Sequence, residues 1–189
     1  GFIIYVVFNI YTYYNKFIKY DKLVLLNEPL NGQTPLTISG SKLIPTPINK
    51  GKQFVITMNI FIENWDYRYY EKKILANWSN NRDSGIKIML MDNIGLGILF
   101  YRYGENKSYL VKSDFNIPLQ TDVELTFVLD NYNVSIFVNG ELIRSEYLDF
   151  IFEYGPMNDM KLNEAGGFLG TINKLEYTPQ TILLNKIQD

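Results

Sequence analysis

The stretch DNYNVSIFVNGELI, residues 130–143, decides how this chain is read. Val134, Ile136 and Val138 alternate with Ser135, Phe137 and Asn139, the period of two that places successive side chains on opposite faces of a strand. Asn139-Gly140 supplies adjacent residues tolerant of positive φ, as a type I′ hairpin turn requires, and Leu142 and Ile143 begin the return strand. The same period recurs on both sides of this hairpin. In QFVITMNIFI, residues 53–62, Phe54, Ile56, Met58, Ile60 and Ile62 share one face while Thr57 and Asn59 take the other. LVLL at 23–26, KILANW, GIKIMLM, LGILFYR, SYLVK, VELTFVL, GGFLGTINKLEY and TILLNKI read as further short β segments, with turn-forming runs such as NNRDSG, DNIG and YGENK between some of them. About a dozen short strands, with at most a helical turn near Tyr70–Lys73, predict an all-β sandwich or barrel.

Composition narrows the chemistry. The chain of 189 residues has no cysteine and no histidine, which leaves out disulfides, thiolate nucleophiles, the usual zinc ligand sets and Ser-His-Asp catalysis. A net charge of −2 gives no basic footprint for nucleic acid.

Residues 1–22 form a separate segment. GFIIYVVFNIYTYY is apolar or aromatic apart from Asn9 and Thr12, and Lys16, Lys19 and Lys22 follow it. The start at Gly1 rather than methionine predicts that the apolar run continues upstream. Tyrosines and then lysines are the order expected where a span meets water. We therefore expect residues 1–22 to be the end of a membrane anchor, with residues 23–189 as one domain on the cytosolic face. The competing expectation is an edge strand.

The order of strand, polar turn, strand, Asn-Gly and strand in VELTFVLDNYNVSIFVNGELIRS, residues 123–145, followed by GGFLGTINKLEYTP, resembles the laminin-G-like and concanavalin A-like jelly-roll domains. The family has a V-N-G hairpin after a central strand and a late F-x-G-x-I strand. FVITMNIFI and KKILANW look like its opening strands, so the resemblance covers roughly 23–187. The chain departs from the family at Thr121 and Asp122, where a tryptophan would be expected. The resemblance implies a concanavalin A-like jelly-roll β-sandwich, a fold that serves glycosidases, lectins and structural modules alike.

The glycosidase branch needs carboxylates alternating along one strand, which sets nucleophile and acid about 5 Å apart for retention. Asp122 and Glu124 share a face, but Thr126 and Val128 come next on it; Glu63 and Asp66 lie past a strand end, and Glu141, Glu146 and Asp149 do not alternate. A non-enzymatic domain is therefore expected. A lectin would use loop aromatics and hydrogen-bonding side chains: Trp65, Tyr67, Tyr69 and Tyr70 in one stretch, Trp78, Asn80, Asn81 and Asp83 in a loop, and Asp92 with Asn93 in another. No cofactor is expected beyond calcium, for which Asp83, Asp92 and Asp130 are the candidate ligands, in no arrangement like an EF-hand loop. The main expectation is a membrane-tethered module docking capsid or membrane-associated proteins, similar to anchored jelly-roll domains among minor virion proteins of large DNA viruses; the alternative is a carbohydrate-binding lectin.

Overall fold

A computed structural model describes residues 22–43, 53–80, 84–92, 95–101, 108–113, 115–150 and 158–179. The expected end of an anchor, up to residue 21, and the strand read at 181–187 lie outside them. Among the described residues no helix is long and apolar enough to cross a membrane.

The strands are β1 (Leu23–Leu26), β2 (Leu30–Asn31), β3 (Leu36–Ile38), β4 (Gln53–Ile62), β5 (Lys73–Asn80), β6 (Ser84–Leu90), β7 (Leu96–Tyr101), β8 (Ser108–Ser113), β9 (Asp122–Asp130), β10 (Asn133–Val138), β11 (Glu141–Tyr147), β12 (Met160–Leu162) and β13 (Gly170–Thr178). One sheet runs β1-β13-β4-β9-β10-β11, with β2 also on β13; the other runs β3-β12-β5-β6-β7-β8. The described pairs are antiparallel. This is the expected jelly-roll sandwich, and the helical turn read near Tyr70–Lys73 is instead a turn leading into β5.

Period-two patterning builds the core. Every second residue of β4 is buried, from Phe54 to Ile62. Val123, Leu125, Phe127 and Leu129 of β9 and Val134, Ile136 and Val138 of β10 continue that inner face, opposed by Ile86, Ile88, Leu90, Ile98 and Phe100 of the second sheet. Burial of these side chains, about 1.5–3 kcal/mol each, drives the two sheets together.

The Asn139-Gly140 turn is as expected: Asn139 has φ 49° and Gly140 φ 79°. The return strand then departs from flush pairing. Val138 faces Glu141 and Phe137 faces Leu142, but Ile136 faces Arg144, so Ile143 is an extra residue bulged out of the ladder. Beyond the bulge Ser135 faces Ser145, Val134 faces Glu146 and Asn133 faces Tyr147.

The sandwich has two poles. The β4–β5 loop, the β6–β7 turn, the β12–β13 loop and the Asn139-Gly140 turn lie at one. The β5–β6 connection, the β9–β10 turn and the end of β11 lie at the other, because Gln53 at the start of β4 pairs with Asp130 at the end of β9.

Candidate functional site

The β4–β5 loop carries most of the aromatic residues singled out from sequence, and it divides them by role. Trp65 turns inward and is only 5% exposed. Its indole N–H donates to the Asp92 carbonyl at 3.4 Å. The Lys73 ammonium sits 4.4 Å from the Trp65 ring centroid and donates to the Arg68 and Glu71 carbonyls at 3.3 and 3.4 Å. Burial pushes the Lys73 amine below its ordinary value, and the Arg68 charge adds to this; Glu71 opposes it. The ring face and two carbonyls offset much of the cost of burying this cation.

The outer half of the loop is tied to residues 163–167. The Tyr67 hydroxyl donates to the Gly166 carbonyl at 3.1 Å, and the Arg68 guanidinium bonds the Ala165 carbonyl and the Glu71 carboxylate. Arg68 and Tyr70 both hold positive φ, 53° and 67°, a region uncommon for side chains of this bulk. The result is an exposed pair: Tyr69 and Tyr70 meet edge to face with centroids 4.2 Å apart, Tyr69 53% and Tyr70 79% exposed.

The structure corrects the expectation that both tryptophans present sugar platforms. Trp78 is on strand β5, not in a loop, and is 1% exposed. Its ring packs edge-on to Phe54 and Tyr177 at 5.7 and 5.4 Å, and its N–H donates to the Asn158 carbonyl at 3.0 Å. Burying an indole gains more than exposing it, provided the N–H finds an acceptor, and both tryptophans have one. The remaining candidates are split between the poles. Tyr67, Tyr69 and the exposed Asp92 share the pole of the β4–β5 loop, whereas Asn80 ends β5 at the other and Asp83 lies outside the described residues. Asp92 and Asp130 likewise stand at opposite poles. Among the described residues no group of three or more Asp and Glu side chains is placed to hold a metal.

A second exposed pair was not among the residues picked out from sequence. Tyr132 and Tyr147 stack with centroids 5.5 Å apart and planes 16° from parallel, and are 36% and 64% exposed. Gln53, Asp130, Asn133 and Tyr147 stand side by side across β4, β9, β10 and β11 on the outer face of the first sheet. Gln53 Nε2 donates to Asp130 Oδ1 at 2.6 Å, and Asn131 Nδ2 to the same oxygen at 3.0 Å. Tyr132 was visible in sequence as a turn aromatic, but the face taken by Tyr147 depends on the bulge at Ile143.

On the inner side of the same edge, the Tyr109 hydroxyl of β8 donates to Glu146 Oε1 at 2.5 Å, and Arg144 donates to Glu146 Oε2 at 2.7 Å. The Tyr109 bond holds the Glu146 carboxyl below the ordinary carboxylate range; burial opposes this and Arg144 reinforces it. This latch joins the two sheets along one side.

No protein-family model matches the chain, and no curated protein matches it. Solved structures share its fold. The botulinum neurotoxin serotype D binding domain superposes with a TM-score of 0.62 at 13% identity, over 85% of this chain and 43% of that one. A structure titled for the entry of botulinum neurotoxin type C into cells through interaction with two ganglioside molecules gives 0.61 at 15% identity, over 89% of this chain and 46% of that one. The chain thus spans less than half the length of these toxin chains. The Ruminococcus gnavus IT-sialidase CBM40 bound to alpha2,3 sialyllactose gives 0.61 at 14% identity, over 86% of this chain and 92% of that one. The chain has the β-sandwich fold of these binding domains.

Proposed function

We propose that this domain is a non-catalytic carbohydrate-binding module. The observation that carries the reading is the pair of solvent-exposed tyrosines at each pole, Tyr69 with Tyr70 on the β4–β5 loop and Tyr132 with Tyr147 at the β9–β10 turn and the end of β11. A tyrosine ring offers a flat apolar face and a polar tip, which suits a sugar ring with C–H bonds on its face and hydroxyls at its rim. The sialyllactose and ganglioside named for similarly folded domains support this choice. The test is an array of diverse glycans probed with the full chain, its Tyr69→Ala/Tyr70→Ala double variant and its Tyr132→Ala/Tyr147→Ala double variant. Reproducible binding that one double variant removes is the expected result. A folded, monodisperse sample that binds nothing on the array would refute it.

The second reading is a membrane-tethered structural module that docks capsid or membrane-associated proteins. It rests on the apolar run and trailing lysines of residues 1–22. A blank array would make cross-linking of the full chain in its native membrane or particle the next experiment.

A further inference from the structure

We infer that the row Gln53–Asp130–Asn133–Tyr147, with Tyr132 stacked beside it, is the glycan-binding surface, and that it takes neutral pyranoses in preference to acidic ones. This rests on the carbohydrate reading above and assigns it a place and a ligand class.

The stacked pair orders a platform before any ligand arrives. Tyr132 packs against Tyr147 nearly parallel, and Leu148 N–H donates to the Tyr132 carbonyl at 2.6 Å, tying the turn to the end of β11. A ring already held in place loses little further freedom on binding. The Tyr69–Tyr70 pair meets edge to face on a loop, without a broad common plane.

The polar side of the row is also set. Gln53 and Asn131 both spend their amide donors on Asp130 Oδ1, so the carboxylate is fixed in orientation. Among the described residues nothing bonds to Asp130 Oδ2 or to the exposed Asn133 amide. Adjacent strands lie about 4.8 Å apart, so Asp130 and Tyr147 are about 10 Å apart across β10. One pyranose centred over Asn133 spans that distance, with its C–H face on a tyrosine, a hydroxyl donating to Asp130 and another bonded to Asn133. A second ring would extend toward Gln53. Positively polarised C–H bonds on the sugar face meet the negative face of the aromatic ring.

Charge sets the class. The row has one anion and, among its described members, no cation: Gln53, Asp130, Asn131, Tyr132, Asn133, Ser135, Ser145 and Tyr147. Arg144 faces the inner side of the strand, opposite Ile136, and pairs with Glu146. A sialylated or sulfated sugar would bring its negative charge to Asp130 with no cation among the described residues of the row to neutralise it. A hydroxyl donor is what an ionised carboxylate accepts.

The test is an array of paired neutral and sialylated glycans probed with the full chain and with six variants, each checked by thermal melt. We expect neutral glycans to bind, Tyr147→Ala to lose at least about tenfold, equivalent to roughly 1.4 kcal/mol, and Tyr147→Phe to retain binding. Asp130→Asn, which keeps an acceptor for Gln53 and Asn131, should weaken neutral binding and narrow the gap to sialylated glycans. Leu110→Ala, on the outer face of the other sheet, should bind as the parent does. Loss of binding in Tyr69→Ala or Tyr70→Ala with none in Tyr147→Ala would overturn this assignment and leave the carbohydrate reading standing. Preference for sialylated glycans would overturn the ligand class. No binding to any glycan by the folded chain would overturn both.

Discussion

Replacing Tyr177 by phenylalanine should make this protein more stable. Tyr177 lies in the core with no exposed surface, packed against Trp78 at 5.4 Å and Phe54 at 6.2 Å. Its hydroxyl has no hydrogen-bond partner among the described residues. A buried hydroxyl without a partner costs about 1–3 kcal/mol in lost hydration. Phenylalanine keeps the ring and its edge contacts and removes only the oxygen. The space left is roughly 10–15 Å³, which at about 24 cal/mol per Å³ costs about 0.3 kcal/mol. The net gain is then about 0.7–2.7 kcal/mol, and for a chain of this length each kcal/mol raises Tm by about 2–4 °C. Calorimetry and urea titration of parent and variant would measure it. Burial also pushes the Tyr177 hydroxyl well above its ordinary pKa. With the folded value raised, the parent loses stability as pH climbs above about 10, where the unfolded tyrosine ionises. The variant lacks that contribution, so its advantage should widen there. A Tm lowered by 2 °C or more would show that the hydroxyl has a bonding role and refute the reasoning.

Two other predictions concern the frame. A Cβ at Gly140 would meet no atom within 4 Å, so Gly140→Val is penalised only by its φ of 79°, about 1–2 kcal/mol for a β-branched residue; an unchanged melt would contradict the turn geometry. Glu176 is 4% exposed between Lys174 and Lys22, each 2.7 Å away. Burial pushes its carboxyl up, but the hydrogen bonds and charges of the two lysines outweigh this and hold it below the ordinary range. Its contribution is therefore present above the unfolded value of about 4.3 and is lost as pH falls below that. Glu176→Gln should flatten this part of the acid limb of the urea midpoint against pH, and an unaltered slope would argue against the paired lysines.

The strands were legible because burial on one face of a sheet writes itself into the sequence at period two, as in Phe54 to Ile62. Asn139-Gly140 was legible because few residue pairs tolerate two positive φ values in succession. The site was less so. Trp65 and Trp78 read as exposed platforms because local sequence names the ring but not the neighbour that covers it; Lys73, Phe54 and Tyr177 come from other strands or the far side of the loop. Arg68 and Tyr70 hold positive φ through bonds from Arg68 to Ala165 and from Tyr67 to Gly166, contacts separated by about a hundred residues in the chain. Asp130 and Tyr147 became neighbours only once pairing across three strands was known.

The single residue bulged out at Ile143 also says how this surface could change over generations. Deleting it would close the bulge and leave the pairs as they are, with Arg144 opposite Ile136, Ser145 opposite Ser135 and Tyr147 opposite Asn133, so the outward row would survive the loss. Keeping Ile143 but drawing it into the ladder opposite Ile136 has the other effect: each later residue slips by one, and Arg144 and Glu146 take the outward places of Ser145 and Tyr147. The aromatic ledge thus hangs on one unpaired residue, and substitutions that favour flush pairing at Ile143 would exchange it for a charged one without altering Tyr147 itself.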